Sequence, residues 1–120
     1  MAPKRVDQNH KALITALRAW PGVTVFSLHS LSRSKASEGI PDCCVGYKGC
    51  TVLCEIKGPK GKLSTAQIAW HATWTGTPVV VLRTEGDVAW LIETLETHYQ
   101  AARHLCAALE MEITVEKGGD

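Results

Sequence analysis

Three features of the sequence predict an α/β protein with a mixed central sheet flanked by helices, in the order α-β-β-β-α-β-α. Apolar residues recur at helical spacing near both ends of the chain, two short apolar runs joined by two residues lie between them, and a Val-rich run near residue 80 follows a third helical pattern. The 120 residues suit one domain. Periodicity fades beyond Glu110, so the domain is expected to cover 1–110 and the remaining 111–120 to form a C-terminal tail.

Leu13, Ile14, Leu17 and Trp20 predict a first helix over 7–20, with Asp7 as its cap and Pro21 and Gly22 as its stop. Val23, Val25 and Phe26 suggest a strand, and a polar loop rich in Ser, Lys and Arg follows over 30–39. Residues 42–47 and 50–57 read as two strands joined by Lys48 and Gly49, a connection of hairpin length although lysine is not an ideal turn residue. Cys44 and Leu53 fall on one face of this pair and Val45, Val52 and Ile56 on the other, as expected of strands covered on both sides. Residues 64–74 predict a helix packed by Trp70 and Trp74, and 77–83 predict a fourth strand. A last helix starts near Asp87, with Val88, Leu91, Ile92 and Leu95 as its apolar stripe.

Composition narrows the class. With 45% hydrophobic and 21% charged residues the chain is an ordinary globular sequence rather than a disordered one. The apolar run at 77–82 is far shorter than the roughly 20 residues that cross a bilayer, and the N-terminus lacks the apolar core of a signal peptide. No membrane partner and a cytoplasmic location are therefore expected, the host's cytoplasm if a phage encodes the protein. Five cysteines without a CxxC pair point to free thiols, Cys43 and Cys54 among them on facing strands, and five scattered histidines match no zinc spacing. A net charge of +1 neither demands nor excludes nucleic acid. Locally, Arg33 and Lys35 precede Asp42, while Lys57, Lys60 and Lys62 follow Glu55. These are candidate phosphate contacts, although such clusters taken alone are what solvated loops contain.

The hairpin carries the chemistry. If Lys48 and Gly49 form a two-residue turn, facing residues have numbers that sum to 97, which sets Asp42 opposite Glu55. Facing Cβ atoms lie about 4.5–5.5 Å apart, and two carboxylates so close repel unless a cation lies between them. Oxygen-only ligation suits Mg²⁺ or Mn²⁺. Alternation puts Lys57 on the face of Glu55 and turns Ile56 into the opposite layer. A divalent ion activates water and polarises phosphoryl oxygen, and a nearby ammonium steadies the developing charge, so Asp42, Glu55 and Lys57 suit phosphodiester hydrolysis.

Gly39, Ile40, Pro41 and Asp42, then Glu55, Ile56 and Lys57, then Leu63, Ser64, Thr65, Ala66 and Gln67 resemble the VRR-NUC branch of the PD-(D/E)XK nucleases. The resemblance spans residues 6–83 and implies a restriction-endonuclease-like fold. It implies that Asp42, Glu55 and the backbone carbonyl of Ile56 hold the metal, that Lys57 assists catalysis, and that Gln67 lines the site. Ser64 to Gln67 is also a capping-box pattern, which gives Gln67 a second reading as a helix cap. The family's first helix supplies a Glu near the metal, whereas no Glu precedes Glu38 here, leaving Asp7, Gln8, Asn9 or His10 as replacements.

The expected function is a Mg²⁺- or Mn²⁺-dependent DNA endonuclease. The resemblance to compact stand-alone members, common in phage and bacteria, implies a Holliday-junction-resolvase-like homodimer acting on DNA, branched DNA included; paired cuts from one centre per chain need two subunits. The competing reading is a catalytically weak or inactive DNA-binding accessory module on the same fold, which the missing Glu favours and the intact Asp, Glu and Lys oppose. A pure protein-interaction domain has no positive support in the sequence.

Overall fold

The computed structural model describes residues 2–29 and 38–108, with side chains described for 8–29 and 38–100. Among these residues the order is α1 (Ala2–Ala19), β1 (Val23–Ser27), β2 (Cys43–Tyr47), β3 (Cys50–Ile56), α2 (Thr65–Thr73), β4 (Val80–Leu82) and α3 (Glu85–Ala108). This is the expected succession. The strands form one mixed sheet in the order β1-β2-β3-β4, antiparallel across the first two pairings and parallel between β3 and β4.

Local chemistry accounts for most of the element ends. Helix α1 begins at Ala2, so Asp7 lies inside it and is not its cap. Pro21 and Gly22 stop it as expected, Gly22 at φ +83° and the Val23 amide bonding back to the Trp20 carbonyl. Lys48 (φ +46°) and Gly49 (φ +82°) both adopt left-handed backbone, the requirement of the tightest hairpin turn. Lysine takes this conformation reluctantly, and its ammonium is held by the Glu96 carboxylate of α3 at 2.8 Å. Before α3, Thr84 and Asp87 cap reciprocally: the Asp87 carboxylate accepts from the Thr84 and Arg83 amides, and the Thr84 hydroxyl accepts from the Asp87 amide.

The core lies on one side of the sheet. Leu13 and Leu17 of α1 and Val88, Leu91, Ile92 and Leu95 of α3 pack with Cys43, Val45, Val52, Cys54, Ile56 and Leu82. The stripe expected for α3 is thus buried whole, each such side chain contributing roughly 1.5–3 kcal/mol. The other face differs from expectation. Cys44 and Leu53 are only half-buried, because α2, nine residues long, shields just the end of that face nearest Glu55. No residue of α2 is buried, and Ile68 and Trp74 stand exposed. Trp70 and Trp74 stack on each other with ring centroids 5.5 Å apart instead of packing the helix onto the sheet. Four residues apart on a helix, they share a face whether or not a core lies beneath it.

Candidate metal centre

The β2–β3 register is the one the two-residue turn requires, with Cys43 facing Cys54 and Cys44 facing Leu53. Both Cys43 and Cys54 are buried free thiols, and the facing Cys43 thiol, together with burial, pushes the Cys54 thiol far up. One residue beyond β2, Asp42 ends the ladder with its side chain: Oδ2 accepts the Ile56 amide at 2.7 Å. The Asp42 carbonyl accepts from Leu28, which ties the end of β1 to the same point. Glu55 is 1% exposed, and its carboxyl feels the Asp42 carboxyl beside it. Burial first, then the neighbouring Asp42 carboxyl, push the Glu55 carboxyl up to about 9, against the lowering effect of Lys57.

Gln67 makes contacts of both kinds. Its Oε1 accepts from the Ser64 amide at 2.8 Å while its own amide donates to the Ser64 hydroxyl, completing the capping box. Its Nε2 donates to Glu55 Oε2 at 3.0 Å. The cap therefore orients the amide toward the carboxylate. Gly39 brings α2 this close: at φ +89° it lies against the Ala66 and Gln67 backbone, and any Cβ there would fall inside the Ala66 carbonyl.

One turn after Gln67, His71 faces the same carboxylate, its Nε2 3.7 Å from Glu55 Oε1. Both atoms are buried without a hydrogen-bond partner among the described residues. Burial and the Lys57 charge push the His71 imidazole below its ordinary range. Sequence reasoning missed His71. The signal was its spacing from Gln67, which puts both on one face of α2.

From the opposite layer, α1 supplies the replacements for the missing Glu. Gln8 is exposed, whereas Asn9 and His10 are half-buried. Asn9 Nδ2 donates to the Lys57 carbonyl at 2.7 Å, fixing the backbone beside Glu55. His10 meets His29 edge to face, with centroids 4.8 Å apart, and His29 Nε2 lies 3.1 Å from Asp42 Oδ1. Asn9 and His10 sit four and three residues before the buried Leu13, so the phase of the apolar stripe singles them out. His29 follows β1 with no local signal.

The basic residues separate. Lys57 is half-buried beside Glu55, and Lys60 and Lys62 are exposed on the loop that follows. That loop is pinned by Arg83, whose Nη1 donates to the Gly58 and Gly61 carbonyls at 2.8 and 2.6 Å. Arg33 and Lys35 lie outside the described residues.

The donor set fits a hard divalent cation. Asp42 and Glu55 lie at the same end of the β2–β3 hairpin, one Glu55 oxygen has no partner among the described residues, and the carboxyl that bears it holds its proton far above the usual range. A buried acid left in that state gains most from a cation that replaces the proton. Among the described residues no helix is long and apolar enough to cross a membrane. No family model and no curated protein matches the chain.

Proposed function

We propose that the protein is a Mg²⁺- or Mn²⁺-dependent endodeoxyribonuclease of the VRR-NUC type, with Asp42, Glu55 and the Ile56 carbonyl as metal ligands and Lys57 and Gln67 completing the site. The carrying observation is the buried Glu55 carboxyl, beside Asp42, held by Gln67 at one oxygen and bearing another with no partner among the described residues. The mixed sheet, with β4 parallel to β3 and the site at the end of the β2–β3 hairpin, supports a restriction-endonuclease-like fold.

A bound Mg²⁺ or Mn²⁺ lowers the pKa of a coordinated water and polarises a phosphoryl oxygen. The chain's own residues do the rest. Gln67 holds Glu55 Oε2 and leaves Oε1, 3.7 Å from His71 Nε2, and the Ile56 amide holds Asp42 Oδ2 and leaves Oδ1. The Lys57 ammonium, on the Glu55 face, offsets charge on the scissile phosphate. Lys60 and Lys62 present charge to the flanking phosphates from a loop that Arg83 keeps in place.

One centre per chain gives one cut, so resolution of a four-way junction requires a homodimer. The deciding experiment incubates the protein with Mg²⁺ or Mn²⁺ against linear duplex, single-stranded, flap and four-way DNA, with EDTA as control. Metal-dependent cutting, strongest on the four-way substrate, is the expected result. The second reading, a DNA-binding module that no longer cuts, is favoured by α1 presenting Asn9 and His10 to the site instead of a Glu. Binding without cutting in either metal would establish it.

A further inference from the structure

Beside the carboxylate pair lies a group of different chemistry. His10 of α1, His29 after β1 and Asp42 before β2 each bring one ligand atom to a point where all three lie within 4.8 Å of one another. They come from three separate chain segments, so no sequence spacing announces them. We propose that His10, His29 and Asp42 form a transition-metal site that takes Co²⁺, Zn²⁺ or Mn²⁺ in preference to Mg²⁺. The site shares Asp42 with the hydrolytic centre proposed above, but its metal binding does not depend on hydrolysis.

Geometry and ligand chemistry carry the assignment. Imidazole nitrogens bind zinc at about 2.0–2.1 Å, so ligand atoms around one ion lie roughly 3–4 Å apart, and the cluster has to contract only slightly. His29 Nε2 already stands 3.1 Å from Asp42 Oδ1, while the other Asp42 oxygen is held away by the Ile56 amide, which leaves Oδ1 aimed at the two rings. The rings meet edge to face rather than stacked, an arrangement in which both can turn a nitrogen toward one point. His29 is 61% exposed, so an ion reaches the site from solvent and keeps open positions for water or a phosphate oxygen. Mg²⁺ dehydrates reluctantly and prefers oxygen, whereas two imidazoles and a carboxylate bind divalent ions in the rising order from Mn²⁺ through Co²⁺ toward Cu²⁺. Two imidazoles beside one carboxylate thus shift selectivity away from Mg²⁺.

The test is Co²⁺ binding to the full chain, read by visible absorption and by metal content after dialysis. We expect one Co²⁺ per chain on this site, a spectrum of mixed nitrogen and oxygen ligation, and no displacement by a hundredfold excess of Mg²⁺. His29→Ala, at an exposed position that leaves the core untouched, should weaken Co²⁺ binding about tenfold or more, as should His10→Ala. Glu55→Gln should keep the Co²⁺ spectrum while abolishing cleavage. Co²⁺ affinity unchanged in His29→Ala, or ready displacement by Mg²⁺, overturns the proposal even if the protein cuts DNA. Conversely, histidine-dependent Co²⁺ binding in a protein that cuts nothing upholds this site and defeats the nuclease reading.

Discussion

The Glu55 carboxyl is buried and held by Gln67, and its raised value has a consequence for stability. Between the ordinary carboxylate range and about 9 the unfolded chain has lost this proton while the folded chain keeps it. The folded state then binds more protons, so raising the pH favours unfolding. The metal-free protein should therefore lose stability from pH 7 to pH 9, and a scan above pH 7 separates this from His71, whose lowered value acts only below its ordinary range. Glu55→Gln retains an acceptor for Gln67 and cannot ionise. In EDTA at pH 8 it should melt higher than wild type by about 3 °C or more, a gain on the order of 1 kcal/mol, and its cleavage should fall by about 10³-fold or more. Melting curves that shift with pH in parallel for the two proteins would show that Glu55 is not the titrating group. Asp42, Glu55 and Lys57 were legible in the sequence because a two-residue turn leaves one register, and register decides which side chains face each other. His29 was not, since it reaches the site through a tertiary approach that no local pattern encodes, and His71 shows only in its helical spacing from Gln67.

At the scale of elements, the placement of α2 decides whether Gln67 meets Glu55, and Gly39 controls that placement. Gly39→Ala would force a side chain into a left-handed backbone and into the Ala66 carbonyl together. The expected loss is about 1–3 kcal/mol of stability, with reduced cleavage even in the molecules that fold, because α2 must retreat and carry Gln67 with it. Full activity in a stable Gly39→Ala protein would show that Gln67 is only a cap. The loop after β3 depends on Arg83 in a similar way. Arg83→Ala should lower DNA affinity several-fold by freeing Lys60 and Lys62, whereas Lys60→Ala should flatten the salt dependence of binding, a signature of a lost phosphate contact. If Arg83→Ala binds DNA as wild type does, the loop is not part of the DNA path. The sequence revealed the α3 stripe and the hairpin because their periodicity and turn chemistry agree with their packing. It misread α2, whose aromatic spacing suits a core but whose rings stack on each other instead.

At the scale of the whole molecule, one centre per chain makes assembly a condition of paired cutting. Light scattering should give twice the monomer mass, alone or on junction DNA, and a monomer mass in both states would exclude a resolvase. The same centre also ties the fold together. Asp42 ends the link between β1 and β2, Glu55 belongs to β3, Gln67 and His71 to α2, and Asn9 reaches the Lys57 carbonyl from α1. These segments are distant in sequence, so the unfolded chain cannot present their ligands together, and a cation bound at this point binds the native state alone. Mass action then requires Mg²⁺ or Mn²⁺ to raise the melting temperature with concentration, by about 2.7 kcal/mol at a hundredfold excess over Kd, or roughly 10 °C for a chain of this size. Mn²⁺ should act at lower concentration than Mg²⁺ as the tighter binder. Glu55→Gln should abolish most of the Mg²⁺ shift, because Asp42 alone is a poor site for an ion that demands oxygen ligands. It should retain a Mn²⁺ shift that depends on His10 and His29. Equal Mg²⁺ shifts in wild type and Glu55→Gln would mean that the buried carboxyl binds no ion, and the hydrolytic centre would have to be sought elsewhere on the molecule.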